Sequence, residues 1–397
     1  MALLSSIQLS LQIGRPSVPQ AAPLAVTQAL QGATVTVGDQ APSGFQLTFH
    51  AERFGTSTDD PLVSGGWLDP YNRVILQATI NGTPRILMDG FITKQTYSPG
   101  RQGGSSLVVS GEDISLKMDL FEVSTAWPNQ TATAIVTSIL GKYASIGVSA
   151  TVKSTATSER PVLKTPQQNS TDRAYLKQLA GQNDAIFYIE PGPSAGSNTA
   201  YWGPPVRTGT PQTALGVDLG PFTTVDSISF DYNGTAPQVT YGQVQETSGQ
   251  DPVAIGIGST TRTPALATKS ALGDYTSLAM NPSSYMDDLL NLKVRGRFFQ
   301  HQGRTSSEAT LLAQLATDQS IDNVVTVNGS LDTIRYGDIL KAPGIVAVRG
   351  AGSSYDGLYY VKQVTHQIAS RTTDWEYRQS FVLSREGVGT TIQGVSA

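Results

Sequence analysis

The alternation of apolar and polar residues in the last third of the chain most restricts its fold. Side chains of an extended strand point to opposite faces in turn, so apolar residues at every second position mark a sheet with one face buried. This pattern runs through Thr326 to Leu340, Gly357-Leu-Tyr-Tyr-Val-Lys-Gln-Val-Thr-His-Gln-Ile368 and Trp375-Glu-Tyr-Arg-Gln-Ser-Phe-Val-Leu-Ser-Arg385. A Gly-rich loop divides the first run from the second. We read these runs as strands closing a small β-barrel. A short helix from about Ser306 to Ala316 leads into them, opened by the capping box Thr305-Ser-Ser-Glu308.

The same period appears early in the chain, in Gly44–His50, Arg73–Ile80, Ile86–Ile92 and Ser105–Gly111. Asn81-Gly82 between two of these runs predicts a tight hairpin. The N-terminus, Met1 to Ile13, alternates and lacks a basic leader region, so it reads as a first strand and not as a signal peptide. The Pro-, Gln- and Ala-rich segment from Gly14 to about Ala41 reads as a long excursion with a strand at Ala33–Gly38. Only 15% of residues are charged, and glycine (39) and proline (22) are frequent. Such a balance suits a loop-rich β protein better than a helical bundle.

A helical period replaces the strand period after Asp113. Thr131–Tyr143 places Ile135, Ile139 and Leu140 on one face, and Asn129 or Thr131 can cap it. A second helix starts at Ser170-Thr171-Asp172 and turns Tyr175, Leu176 and Leu179 inward before the strand Ala185–Glu190. Clean alternation returns in Val225–Tyr232 and Gln238–Gln245, whereas residues 250 to 290 have weak periodicity and read as an irregular insertion. The fold class expected is therefore α+β, mainly β.

Nothing in the sequence points to a reaction. A net charge of −4 argues against specific nucleic-acid binding, and the densest basic cluster (Lys293, Arg295, Arg297, Arg304) is short. The absence of cysteine excludes disulfides and thiol nucleophiles. No run is apolar for long enough to span a membrane. His50, His301 and His366 lack ligand or triad spacing. Asp59-Asp60 reads as a solvated turn before Pro61 and Asp287-Asp288 as a helix-proximal acidic pair before Leu289, and the glycines of 100–104 and 350–352 as loops between strands, without the helix a phosphate loop needs. Tyr359, Tyr360 and Lys362, like Trp375, Tyr377 and Arg378, have strand spacing and read as packing positions. No residue is assigned a catalytic, cofactor-binding or metal-ligating role, and the chain is expected not to be an enzyme.

Three blocks, in order, resemble the baseplate hub of contractile tails: the phage late control D family and the hub portion of type VI spike proteins. They are the strand Leu107-Val-Val-Ser-Gly-Glu-Asp-Ile114 with its exit aspartate, and Gln167-Gln-Asn-Ser-Thr-Asp-Arg-Ala-Tyr-Leu-Lys-Gln-Leu-Ala180 leading into Phe187–Glu190. The third is Gly357 to His366 with the aromatic strand ending at Arg385.

The resemblance implies two similar β-barrel, tube-like domains, at 1–118 and at 206–249 with 318–390. An α+β insert at 119–205 would separate them, and a loop-rich insertion with a helix would fill 250–317. It further implies a homotrimer whose six barrels have pseudo-six-fold symmetry, a six-fold tail tube or tube initiator on one side and a three-fold central spike on the other. The chain ends at Ala397 without a needle, so the spike is expected to be a separate protein, beside other baseplate proteins. Assembly is expected in the bacterial cytoplasm, within a virion tail or injection particle, and His366 is expected to be a packing residue. Two alternatives stand beside this reading. One is a tail-associated carbohydrate-binding or peptidoglycan-cleaving protein, suggested by the Ser/Thr/Gly-rich surface and Trp67, Trp127, Trp202 and Trp375. The other is the tail-tip hub of a non-contractile phage.

Overall fold

The computed structural model describes residues 7–15, 19–51, 60–100, 104–159, 165–245, 252–289, 291–302, 305–371 and 375–391, without the side chains of 287–288 and 300–302. The chain forms two compact units. Unit 1 comprises Met1–Pro205, Leu331–Ala342 and Gln363–Ser380; unit 2 comprises Val206–Ser330, Pro343–Lys362 and Phe381–Ala397.

Unit 1 is built on an antiparallel sheet of β1 (Ile7–Gly14), β2 (Gln20–Ala21), β3 (Leu30–Gly38), β4 (Gly44–Ala51), β5 (Arg73–Ile80), β6 (Thr83–Ser98) and β7 (Ser105–Asp113). Their order is β3-β4-β7-β6-β5-β1-β2. The hairpin read at Asn81-Gly82 joins β5 to β6: Ile80 pairs with Thr83, and both turn residues have positive φ (49° and 79°). Only such a turn matches the twist of the flanking strands across two residues, and glycine adopts it without strain. Alternate residues such as Leu47, Phe49, Leu76, Leu107 and Val109 fill the core beneath the sheet. Each buried side chain of this size contributes about 1.5–3 kcal/mol.

In the segment from Gly14 to Ala41 the strand read at Ala33–Gly38 is present, but the segment is part of the sheet and not an excursion from it. It contains the helix α1 (Leu24–Ala29) and then β3, an internal strand hydrogen-bonded to β4 on one side. On its other side, β3 residues 32–38 pair with residues 363–369. Ala33 and Val35 are buried, the alternation of a strand with one face in the core. A short helix, α2 (Pro61–Ser64), follows β4.

The chain leaves the sheet at Asp113. One carboxylate oxygen accepts from Ser43 N at 2.8 Å and the other from Ser115 N at 2.8 Å. This aspartate therefore fixes the start of β4 and caps the 3-10 turn Ile114–Met118. Burial raises its carboxyl above the usual carboxylate range, against the lowering effect of these bonds.

A second core follows, within the same unit. It uses β8 (Glu122–Ala126), α3 (Ala132–Gly141), β9 (Val148–Val152), β10 (Gln167–Thr171), α4 (Asp172–Gln182), β11 (Ile186–Pro191) and β12 (Asn198–Gly203). Thr131 caps α3 and Thr171 caps α4, each hydroxyl accepting from the backbone three residues on. Ile135, Ile139 and Leu140 of α3 meet Tyr175, Leu176 and Leu179 of α4 in one buried cluster with Phe187 and Trp202. The faces predicted for both helices are the buried ones.

Unit 2 introduces β13 (Gln212–Gly216), β14 (Val225–Tyr232), β15 (Gln238–Gln245), β16 (Val253–Ile257), β17 (Ala267–Ser270), α5 (Thr276–Met280), β18 (Arg295–Gln302) and α6 (Ser306–Ile321). After these come β19 (Val325–Asp332), α7 (Thr333–Tyr336), β20 (Gly344–Arg349), β21 (Gly357–Ser370), β22 (Trp375–Arg385) and β23 (Gly387–Thr390). Strands β19, β21 and β22 carry residues of unit 1 as well, and helix α7 belongs to unit 1 alone. In unit 2, β14-β19-β22-β21 lie in sequence, β20 pairs antiparallel with β21, and β13 pairs parallel with β20.

Sheet is thus the dominant structure, but no closed barrel forms. Among the described residues each hydrogen-bonded strand order is open, because β2 and β14 are end strands with a neighbour on one side only. Where weak periodicity in 250–290 predicts irregular backbone, the structure has β16, β17 and α5. β16 pairs antiparallel with the preceding strand β15, whereas the partner of β17 is β23, far along the chain. The capping box is present, Thr305 accepting from Glu308 N at 3.2 Å, and α6 runs on to Ile321.

Candidate assembly surfaces

His366 on β21 is buried, its Nδ1 3.1 Å from the Tyr377 hydroxyl on β22, and burial pushes its imidazole down to about 3. His50 is half-buried on β4, and the His301 side chain lies outside the described residues. Asp60 is buried and caps α2 through Leu62 N at 2.8 Å, a structural use. Asp59, residues 101–103, Arg304 and the side chains of Asp287 and Asp288 also lie outside the described residues. Among the described residues no group of three or more His, Asp or Glu is placed to hold a metal ion, and no helix is long and apolar enough to cross a membrane.

The polar residues that sequence reading passed over form buried frameworks. In unit 1, Asp172 at the start of α4 accepts from Gln168 (2.7 Å), the Tyr143 hydroxyl (2.8 Å) and Lys142 (3.1 Å). Arg173 bridges Glu112 (2.6 Å) and Asp119. The Gln167–Ala180 block is therefore a knot joining two helices to the sheet exit.

In unit 2, Glu386 accepts from Arg207 at 3.1 Å and from the backbone N–H groups of Leu266 and Ala267. Arg207 also reaches Asp322 (3.2 Å), which Arg262 binds through two nitrogens at 2.9 and 2.6 Å. Arg385 lies 4.3 Å from the Tyr359 ring centre and donates to the carbonyls of Ser354 (2.6 Å) and Asp356 (3.1 Å). It holds the 350–357 loop, in which Ala351 N donates to Asp356 at 2.8 Å. Buried charges need partners, and the ion pairs among these contacts join residues too far apart for spacing to reveal. Of the aromatic residues singled out by strand spacing, Tyr359, Tyr360 and Tyr377 are buried and pack the interior. Trp127 and Trp202 are also buried, the latter donating to Leu176 O at 3.2 Å.

What the chain offers outward is surface. The end strand β14 exposes Asp231 and Tyr232, with Phe222 78% exposed just before it. A larger apolar surface lies on the small sheet β16-β15-β18 of unit 2. Helix α6 covers one face, where Ala309 and Ala313 pack on Val244, Ile255 and Phe299, and Thr317 donates to Thr240 at 2.9 Å. Residues of the other parity make the second face: Tyr241 and Phe298 are paired in register with ring centres 5.8 Å apart. That face holds a cleft of roughly 210 Å³ lined by Val239, Tyr241, Leu278, Tyr285, Leu292 and Val294. Around it, Phe298 is 59%, Met286 61% and Leu289 54% exposed.

No protein-family model and no curated protein matches the sequence. Solved structures do match the fold. A tail protein from Neisseria meningitidis MC58 superposes with a TM-score of 0.60 at 12% identity, over 97% of this chain and 98% of its own. The 43 kDa tail protein of prophage MuSo2 from Shewanella oneidensis gives 0.59 at 12%, over 98% and 100%. An E. coli component of the type VI secretion system, whose structure is described as similar to bacteriophage T4 tail proteins, gives 0.51 at 12%, over 97% and 75%. At such identities the likeness is one of fold. It leads to the same group of proteins as the three sequence blocks.

Proposed function

We propose that this chain is a structural hub of a phage-tail or contractile injection baseplate, joining a six-fold tail tube to a three-fold central spike and nucleating the tube. The observation that carries this reading is the match of fold to two tail proteins along nearly the whole length of both chains. A partial or single-domain match would have left the function of the remainder open. In this reading two tube-like domains per chain, near 1–118 and 206–249 with 318–390, let three copies present six similar surfaces. A three-fold protein can thereby meet a six-fold tube. The α+β segment 119–205 and the 250–317 segment are elaborations on that plan.

The work of such a protein is mechanical, so low charge and buried ion networks serve it better than a reactive centre. Permanent assembly interfaces are large and poor in charge, which agrees with the 15% of charged residues. The protein would be assembled in the bacterial cytoplasm and carried in a tail or injection particle. Sedimentation equilibrium of the purified chain tests the oligomer: a mass of three chains supports the hub reading. A chain that stays monomeric, and gains no mass with tube or spike protein, defeats it.

A further inference from the structure

We propose that the outer edge of β18 is a docking site for an extended segment of a partner protein in which carboxylates alternate with apolar side chains. The proposal stands on the geometry of this sheet and does not depend on the hub reading.

Among the described residues β18 is the last strand of β16-β15-β18, hydrogen-bonded in parallel to β15 alone. An end strand carries a row of backbone donors and acceptors that another extended segment can satisfy. Its side chains then prescribe the segment. Gly296 and Phe298 point to the cleft face, Phe298 against Tyr241, so every second residue of an added strand would lie over the cleft and should be apolar. A Cβ at Gly296 would come within 3.0 Å of the Tyr241 ring, so glycine there leaves the cleft floor open.

Arg295 and Arg297 have the opposite parity, that of Phe299, and are exposed. Neither they nor Lys293 pairs with a carboxylate among the described residues. Cross-strand neighbours of opposite charge stabilise a sheet and like charges oppose it, so residues beside these arginines should be Asp or Glu. Basic residues on an edge strand also discourage unwanted pairing. That role alone needs no cleft and no exposed Phe298, Met286 and Leu289 around it. The combination selects a partner by charge and anchors it by apolar contact.

The test uses the full chain and a fluorescently labelled peptide of about eight residues, the length of an ordinary strand, alternating aspartate with leucine and phenylalanine. A control peptide carries lysine for aspartate. Anisotropy should show saturable binding of the acidic peptide alone. The paired change Arg295→Glu with Arg297→Glu should weaken it about tenfold or more, and Phe298→Ser should do so at unchanged salt dependence. Equal binding of both peptides, or no saturation below about 1 mM by protein with native circular dichroism, overturns the proposal. So does a chain that self-associates through this strand, with light scattering falling to a smaller species on charge reversal and no competition by peptide. That result would assign the edge to a second copy.

Discussion

Arg73 and Asp89, from the neighbouring strands β5 and β6, meet through two hydrogen bonds, Nε to Oδ1 at 2.6 Å and Nη2 to Oδ2 at 2.7 Å, with both side chains out of solvent. Asn198 donates to the same carboxylate at 2.8 Å, and the guanidinium reaches the carbonyls of Ile146 and Gly196 at 3.3 Å. One ion pair thus links the large sheet of unit 1 to the α+β segment beside β12. The segment is carried on the sheet by a polar pin as well as by apolar packing.

Removing one member of that pin leaves the other charge buried and unpaired. Arg73→Met should cost about 3–5 kcal/mol, measured from the urea midpoint of the unit 1 transition. The double change Arg73→Met with Asp89→Leu should recover a large part of the loss, since an apolar pair needs no counter-charge.

His366 makes unit 1 acid-sensitive in a defined window. Its folded value, about 3, lies below the ordinary 6.5, so the unfolded chain binds the extra proton first. The stabilisation is complete above about pH 6.5 and is lost as pH falls from there toward 3, at about 1.4 kcal/mol per pH unit. Between pH 6.5 and pH 5 the wild-type chain should lose about 2 kcal/mol more than His366→Gln. Parallel loss in the two proteins would show that another group carries the acid sensitivity.

Arg385 should be irreplaceable by lysine. An ammonium cannot donate in a fork to Ser354 O and Asp356 O while lying on the Tyr359 ring. Arg385→Lys is expected to cost about 2 kcal/mol and to speed amide exchange in 350–357, read by hydrogen-exchange mass spectrometry.

The hub reading contains no hydrolysis. Purified chain added to a peptidoglycan suspension should leave its turbidity unchanged over hours. Clearing that disappears on replacing a single carboxylate would instead favour the tail-associated lysin considered from the sequence.

Local patterns revealed local structure. The Asn81-Gly82 hairpin, the threonine caps at 131, 171 and 305, and the buried faces of α3 and α4 were all readable, because each depends on residues within about one or two turns of backbone. β17 was less legible since its partner β23 lies far along the chain, and the strand read at Ala33–Gly38 gave no sign of its long-range pairing with β21. Also less legible were the ion networks of Arg73, Arg207 and Arg385, because spacing carries no information about contacts made between separate strands and loops. The candidate surfaces were half visible: Lys293, Arg295 and Arg297 stood out as a cluster, but only the fold shows two of them alternating with Phe298 on a sheet edge.

The central claim is one of symmetry, and electron-microscope projection images of the purified assembly test it most directly. The account predicts end-on class averages of a three-chain ring with six similar lobes. Monomers, or a ring whose lobes show only the repeat of the chain with no internal six-fold likeness, would contradict it.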